Sequence, residues 1–284
     1  MSAPEGGFNL RHILIALDAS THSLAAVEAA ADLAAAMRAE MDGLFVEDIN
    51  LIRLASLPCT SEVRHTTSVA SLDLEQMERA LKAQAAEARR ALAAAAQRAH
   101  VQWSFRVARG RVAHEVLAAA AAADLVTLGK LGRSRSPQAR LGSTALRVLA
   151  GAPIALLLVE QWRVRAHGLR PVLVVYDGSE GARRALEAAA RLAEAGGASL
   201  TVVLLADDSD TLRDLKLAVA RSLQGRSTEV RWQALAVAER QSLLRAIQAD
   251  DAALLVLSLN SPRLPEAAIG KLLDRVSNPV LLIR

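Results

Sequence analysis

Short apolar runs alternate with alanine-rich stretches of helical periodicity along the whole chain. Some runs, such as Leu125-Val126-Thr127-Leu128, are apolar at almost every position, which is typical of strands that helices bury on both faces. Strands that alternate with helices in this way favour a parallel sheet with right-handed crossovers. The pattern therefore predicts the α/β fold class, with doubly wound, Rossmann-like parallel sheets.

The apolar runs predict two successive sets of five strands. The first set lies at about 12–18, 41–47, 101–108, 124–129 and 154–159. The second set lies at about 171–177, 199–205, 229–236, 253–258 and 279–283. Each set has the length of one ordinary domain.

The two sets belong to two copies of one sequence unit. The segment HILIALDAS at 12–20 matches PVLVVYDGS at 171–179, so that Asp18 corresponds to Asp177 at an offset of 159. The helical segments that follow, AVEAAADLA and ALEAAARLA, keep the same offset. A strand that repeats together with its helix indicates a duplication.

Later landmarks repeat at a smaller offset. At an offset of 129, Trp103 corresponds to Trp232 and Gly129 to Ser258, and we expect both tryptophans to be core anchors. A proline precedes the last apolar strand of each copy. The change of offset places about 30 additional residues in the first copy, at roughly 47–100.

The repeat sets the predicted domain boundaries. One domain is expected at 1–160 and the second at 171–284, with a linker at about 161–170 where apolar sequence gives way to charge and glycine. The additional segment of the first domain begins with the polar stretch LPCTSEVRHTTSVASLD and continues as a strong helical pattern. The polar stretch is either a mobile loop or lid, or a plain surface connection.

The composition argues against several classes of function. Aromatic residues make up only 2% of the chain, and the net charge of +4 is spread along it without a basic tail, so we expect no nucleic-acid partner. Six histidines without ligand spacing and a single cysteine predict no metal site. That lone Cys59, the lack of a secretory signal and the lack of a membrane-spanning run predict a cytoplasmic protein without membrane contact.

Two predicted strands of the first copy end in residues suited to binding an anion. Asp18 ends the first strand, and Gly129 at the end of the fourth begins the spacing G-x2-G-x9-G-S-T, completed by Gly132 and Gly142-Ser143-Thr144. Strand ends of an open parallel sheet meet at the crevice where ligands bind. Glycines let backbone amides approach a bulky anion, and the N–H groups of a helix start attract phosphate.

The segment between these glycines adds positive charge through Arg133, Arg135 and Arg140. Simpler explanations exist for the same residues, because glycines after strands often make turns and a Ser-Thr pair often caps a helix. From spacing alone, both interpretations remain open.

The aspartate-ended first strand and the spaced glycine signature together resemble the universal stress protein family. The stretch GRVAHEVLAAAAAADLVTLGKLG at 110–132 is also similar to that family. The resemblance implies a tandem-domain member with an ATP site in the first copy, where Asp18 would contact adenine or ribose and the backbone of Val46, at the end of the second strand, would bond to adenine. The nucleotide-binding residues it implies are Ala16, Leu17, Asp18, Val46, Leu128, Gly129, Gly132, Arg133, Gly142, Ser143 and Thr144.

The second copy departs from the signature. It keeps Asp177, but Ser258-Leu259-Asn260-Ser261 replaces the paired glycines. When Gly270 is matched to Gly142, the loop of the second copy is one residue shorter, and a lysine follows the glycine. Two prolines and Glu266 would stiffen this loop and repel phosphate. We therefore expect the second copy to be a degenerate half that packs against the first.

Together with these features, the resemblance implies a nucleotide-binding stress-response or regulatory protein whose ligand is ATP, with or without Mg²⁺. The P-loop signature and a Ser–His–Asp pattern are absent from the sequence, so we expect no enzyme and no catalytic residues. The alternative is a non-catalytic scaffold with a vestigial pocket. The resemblance also implies that 154–159 and 279–283 pair within the chain as a pseudo-dimer, and it leaves room for a homodimer.

Overall fold

The computed structural model describes most of the chain. The described residues are 8–56, 61–63, 69–71, 74–131, 141–162, 169, 171–235, 240–249 and 254–284. Most of the predicted linker, and most of the polar stretch whose role as a lid or a surface connection the sequence left open, lie outside these residues.

The first repeat contains all five predicted strands, each within two residues of its predicted ends. In chain order its elements are β1 (His12–Leu17), α1 (Thr21–Met37), β2 (Glu40–Asp48), α2 (Ile49–Ala55), β3 (Ser61–Val63), β4 (Val69–Ser71), α3 (Leu74–Ala99), β5 (Trp103–Gly110), α4 (Val112–Ala120), β6 (Leu125–Gly129), α5 (Ser143–Gly151) and β7 (Ala155–Val159). The additional segment supplies α2, α3 and the small antiparallel pair β3–β4.

The second repeat also contains its five predicted strands, each within one residue of the prediction. In chain order its elements are β8 (Val172–Tyr176), α6 (Glu180–Ala195), β9 (Leu200–Leu205), α7 (Ser209–Ser222), β10 (Val230–Leu235), α8 (Arg240–Gln248), β11 (Leu254–Ser258), α9 (Glu266–Leu273) and β12 (Val280–Ile283). Here α7 alone takes the place of the additional segment of the first repeat.

The two repeats share one sheet. Within the described residues it has ten strands in the order β10-β9-β8-β11-β12-β7-β6-β1-β2-β5. Neighbouring strands are parallel except at the centre, where β7 and β12 pair antiparallel, with Leu157 opposite Leu281. The expected pairing of the last strands within one chain is therefore confirmed, as is the doubly wound α/β fold.

Alanine lets the helices lie close to this sheet. On one face, α1 and α6 are in contact and bury runs of alanine against the strands, among them Ala29, Ala30, Ala188 and Ala189. A small side chain loses little conformational entropy in a helix and allows close approach to the strands. Among the described helices, none is both long and apolar enough to cross a membrane.

Equivalent serines cap the first helix of each repeat. Ser20 Oγ accepts a hydrogen bond from the N–H of Ser23 at 3.1 Å, and Ser179 Oγ accepts one from the N–H of Ala182 at 3.2 Å. Both residues are extended N-caps, which satisfy a donor that the first helical turn leaves unpaired.

The expectation that both tryptophans anchor the core is wrong. Trp103 is 36% exposed and Trp232 is 43% exposed. They lie on β5 and β10, which are the two outer strands of the sheet. Their positions differ by two residues in register, because Trp103 pairs with Met41 whereas Trp232 pairs with Val202. An outer strand has a neighbour on one side only, so its side chains are covered less than those of central strands.

Candidate functional site

A cavity of about 240 Å³ lies at the carboxyl ends of β1, β2 and β6. The strand order reverses here, because β2 and β5 lie on one side of β1 while β6 and β7 lie on the other. This switch point is the place where open parallel sheets bind ligands.

The cavity brings together nine of the eleven residues that the resemblance implies for nucleotide binding. They are Ala16, Leu17, Asp18, Val46, Leu128, Gly129, Gly142, Ser143 and Thr144. The other two, Gly132 and Arg133, lie outside the described residues, as do Arg135 and Arg140.

Asp18 is oriented by the turn that joins β1 to α1. Its Oδ1 accepts a hydrogen bond from the N–H of Ser20 at 3.0 Å, and its own N–H donates to Ser23 Oγ at 3.2 Å. Ala19 between them has a φ of 55°, in the left-handed region, which reverses the chain within one residue. The carboxylate is therefore fixed at the edge of the cavity.

Gly129 lines the cavity, and its lack of a side chain serves the packing of α1. A Cβ at this position would lie 2.9 Å from the carbonyl carbon of His22 and 3.0 Å from the backbone nitrogen of Ser23. Both atoms belong to the first turn of α1, so the glycine lets β6 end close to that helix. This requirement for glycine exists without any ligand.

Within the part of the chain that the structure describes, the start of α5 faces the cavity without a side-chain cap. Gly142 is the extended N-cap residue, and it has no side chain to accept from the first turn. Ser143 and Thr144 follow, and the first turn carries no acidic residue. The N–H groups of such a helix start need partners and attract anions. Both hydroxyl residues line the cavity beside them.

The second strand extends further than the sequence suggested. The strand was predicted at about 41–47, with Val46 at its end, but β2 continues to Asp48, because its pairing with β5 continues as far as Gly110. On the other side, β1 ends opposite Phe45. Among the described residues, no strand pairs with the edge of β2 facing β1 from Val46 onward, which leaves the backbone groups of this edge on the side of the cavity.

Sequence reasoning missed the wall that the additional segment builds. Leu51 of α2 and Leu81 and Gln84 of α3 line the cavity, as does Asp48 at the cap of α2. The signal was present in the helical spacing, since the buried Leu81, Ala85, Ala88 and Leu92 share one face of α3.

An ion pair connects this wall with the sheet. Arg109 of β5 bonds to Glu47 of β2 at 2.8 Å and reaches Glu78 of α3 at 3.5 Å. The hydrogen bond and the charge of Glu47 raise the pKa of the Arg109 guanidinium above its ordinary value. Glu47 itself is 9% exposed.

The equivalent strand ends of the second repeat hold a closed polar network. Asp177 is 9% exposed. Its Oδ2 accepts from Ser261 Oγ at 2.6 Å, and its Oδ1 accepts from Ser179 Oγ at 2.6 Å. Burial alone would raise the pKa of Asp177, but the hydrogen bonds from Ser179, Ser261 and the N–H of Arg263 outweigh it and lower the pKa. Both oxygens of this carboxylate therefore accept hydrogen bonds from the protein itself.

Arg263 completes this network. Its Nη1 donates to the backbone oxygen of Leu205 at 2.5 Å, and its guanidinium lies 3.7 Å from Asp207. Leu205 is the residue of β9 just beyond its pairing with β8, which is the place that Val46 holds in β2. The side chain of Arg263 thus occupies the backbone edge that is uncovered in the first repeat.

The match of Gly270 to Gly142 is wrong. Gly270 lies inside α9, which begins at Glu266 with Pro265 as its cap. The connection from β11 to α9 is therefore far shorter than the one from β6 to α5, and the expected difference of one residue was too small. The acidic Glu266 occupies the first turn of α9, where it disfavours a second negative charge.

The described residues contain no group of three or more histidine, cysteine, aspartate or glutamate side chains that could hold a metal ion. His114, for example, is 77% exposed and lies beside Glu115 at 3.3 Å.

Comparison with known proteins agrees with this architecture. A universal stress protein from Archaeoglobus fulgidus has a TM-score of 0.74 at 19% identity, covering 98% of this chain and 97% of its own. A putative universal stress protein from Pseudomonas aeruginosa has a TM-score of 0.59 at 18% identity, covering 96% and 93%. The cytoplasmic domain of a prokaryotic cation chloride cotransporter has a TM-score of 0.52 at 13% identity, covering 96% and 95%. Likeness at such identities shows the fold alone.

A search of curated proteins finds no match. The model of the universal stress protein family matches twice, over residues 9–160 and again over residues 168–284. These two matches cover both halves of the shared sheet. The chain therefore belongs to the universal stress protein family, as a member with two tandem domains.

Proposed function

We propose that the first repeat binds an adenine nucleotide, with ATP as its principal ligand, and that the protein is a nucleotide-binding regulator in the stress response. The observation that supports this is the cavity at the switch point. It combines an apolar wall, the oriented carboxylate of Asp18 and the uncapped start of α5.

The parts of a nucleotide fit different parts of this site. A cavity of about 240 Å³ is at the small end for ligand sites, so it suits the base and ribose. The uncovered edge of β2 at Val46 would bond to the base, and Asp18 would accept from the ribose or the base. The phosphates would lie at the surface, beside the exposed Ser143 and the N–H groups of α5.

We propose binding without steady turnover. Lys130 is the one lysine between Gly129 and Gly142 in the sequence, and it is buried with its ammonium group held by Glu160. It therefore stabilises no charge that would develop on a transferring phosphate group. Mg²⁺, where present, would neutralise phosphate charge as part of the ligand.

Isothermal titration calorimetry with MgATP tests the proposal, together with a matched pair of variants at Ser143. Ser143→Asp places a carboxylate among the phosphates and should weaken binding by about 2 kcal/mol, roughly thirtyfold. Ser143→Asn adds similar volume without charge and should bind nearly as the wild type does.

This pair separates binding from folding. Ser143 is exposed, and an acidic residue in the first turn stabilises a helix by about 0.3–1 kcal/mol, so Ser143→Asp should not lower the melting temperature. Absence of both heat and thermal shift in the wild type would refute nucleotide binding. Wild-type affinity in Ser143→Asp would place the phosphates elsewhere.

A further inference from the structure

Lys130 lies within the glycine signature, but its side chain leaves the candidate site. Its neighbours Gly129 and Leu131 both line the cavity. The side chain of Lys130 is only 2% exposed. A buried ammonium group needs charged or polar partners, because an unpaired buried charge is strongly unfavourable.

The partners of Lys130 lie at the junction between the repeats. Its Nζ donates to Glu160 Oε2 at 3.0 Å and to the backbone oxygen of Val276 at 2.5 Å. Glu160 directly follows β7, and Val276 lies between α9 and β12 in the second repeat. Since β7 and β12 are the strands that join the repeats, Lys130 fixes the end of β6 to the second repeat.

The backbone of Lys130 holds the start of α5. Its N–H donates to the oxygen of Val159 at 2.8 Å, and its oxygen accepts from the N–H of Gly142 at 2.8 Å. Gly142 caps the helix whose first residues, Ser143 and Thr144, line the cavity. One residue therefore connects a strand end, a helix start and the second repeat.

The second repeat also holds the other end of α5. Arg284 directly follows β12, as Glu160 follows β7. The guanidinium of Arg284 donates to the backbone oxygen of Leu149, in the last turn of α5. Helix α5 is thus fixed to the junction near both of its ends.

The second repeat shows that the backbone bond at this strand end does not require lysine. Leu259 follows Ser258 there, as Lys130 follows Gly129 in the first repeat. Its N–H donates to the oxygen of Ile283 at 2.8 Å, which is the bond that Lys130 makes to Val159. An apolar residue makes the same bond to the neighbouring strand end, so the buried charge of Lys130 has another role.

We propose that Lys130 is a positioning residue that couples the nucleotide site of the first repeat to the junction with the second. A ligand that orders the start of α5 would then also order the chain around Val276. By linkage, the state of the junction would set the affinity for the ligand. The inference rests on the proposed function, and it gives the second repeat a role in tuning the site.

The test compares Lys130→Met, which keeps length without charge, with Lys216→Met at an exposed position on α7. ATP titration should show binding about tenfold weaker in Lys130→Met and unchanged in Lys216→Met. Hydrogen exchange should show that ATP protects the amides of 276–283 in the wild type and in Lys216→Met, and that this protection is lost in Lys130→Met.

Wild-type affinity together with wild-type protection in Lys130→Met would overturn the coupling. If that variant does not fold, Glu160→Gln replaces it, because glutamine still accepts a hydrogen bond but lacks the charge. We expect smaller effects of the same sign from Glu160→Gln, and unchanged affinity and protection there would equally overturn the inference.

A ligand-free comparison separates this inference from the proposed function. Without nucleotide, the amides of Gly142 and of 276–283 should exchange faster in Lys130→Met than in the wild type. Equal exchange would overturn the positioning role, whatever ATP does. Faster exchange in Lys130→Met, together with a wild-type protein that binds no ATP, would support the connection and refute the proposed function.

Discussion

The corresponding strand ends of the two repeats differ, although the sheet beneath them is the same. A cavity lies there in the first repeat, and a side-chain hydrogen-bond network lies there in the second. In the first repeat, the edge of β2 at Val46 is uncovered and faces a cavity. In the second, Arg263 bonds to the equivalent Leu205, and Ser261 bonds to Asp177. In the second repeat, a short loop therefore supplies hydrogen-bond partners to the strand ends at the switch point, while the sheet beneath is retained.

The two repeats also solve one packing problem in opposite ways. The end of the fourth strand of each repeat approaches the first turn of its first helix. In the first repeat the glycine is on the strand, where a Cβ at Gly129 would lie 2.9 Å from His22. In the second it is on the helix, where a Cβ at Gly181 would lie 2.3 Å from Ser258 Oγ. At the offset of 159, His22 and Gly181 correspond, so the glycine has changed sides.

The largest predicted effect comes from giving the first repeat the serine of the second. Gly129→Ser forces a side chain against backbone atoms of α1 and should cost about 2–3 kcal/mol of unfolding free energy. Adding His22→Gly recreates the arrangement of the second repeat and should recover part of this loss.

Urea unfolding of the wild type, both single variants and the double variant measures this exchange. We expect a coupling energy of about 1 kcal/mol or more between the two positions. Strict additivity would show that the two glycines are unrelated features of the repeats.

A smaller effect should separate the two aspartates. Asp177→Asn weakens a buried network of several donors and should cost about 2 kcal/mol at neutral pH. Asp18→Asn, at the cavity, should cost about 1 kcal/mol or less, because among the described residues the carboxylate accepts one bond, from Ser20. Equal costs would contradict the view that only the second repeat has closed its site.

The cost at Asp177 should also depend on pH. Its pKa is lowered in the folded protein relative to about 3.9 in the unfolded chain, so the carboxylate adds stability above that value. This stability is lost as the pH falls through the folded pKa. The difference between the wild type and Asp177→Asn in urea unfolding should therefore be largest at neutral pH and should narrow below about pH 4. A difference that stays constant with pH would mean that the carboxylate is not held by these bonds.

The smallest predicted effect tests the corrected position of Gly270. Because it lies inside α9 and a Cβ there would meet nothing within 4 Å, Gly270→Ala should stabilise the protein by about 0.5–1 kcal/mol. A raised melting temperature with unchanged ATP binding is expected. A destabilising effect would favour the original match of Gly270 to the helix-start glycine of the first repeat.

The sequence was informative where one local signal decided the outcome. Continuous apolar runs located all ten strands of the sheet, and the offset between the copies located the additional segment. Asp18 and Gly142 could be placed at one crevice, because the carboxyl ends of parallel strands meet at the same edge.

The rest depended on distances that a sequence does not contain. Trp103 repeats as a core residue would, yet it lies on an outer strand. Gly270 was matched to Gly142 only by its distance along the sequence from the preceding strand. The loop of the second repeat is much shorter than that match assumed, so Gly270 lies inside α9. The cavity wall at Gln84 and the course of the Lys130 side chain both arise from contacts between elements far apart in the chain.

Because β7 and β12 belong to one chain, their antiparallel pairing does not depend on the protein concentration. Where two separate chains meet through such strands, dilution pulls them apart and every sequence change appears on both sides. Here both strands belong to one polypeptide, so a single molecule contains the pairing. The sequence of each repeat can then change independently. The first repeat can therefore keep a cavity at its strand ends, while the second has side-chain hydrogen bonds at the equivalent position.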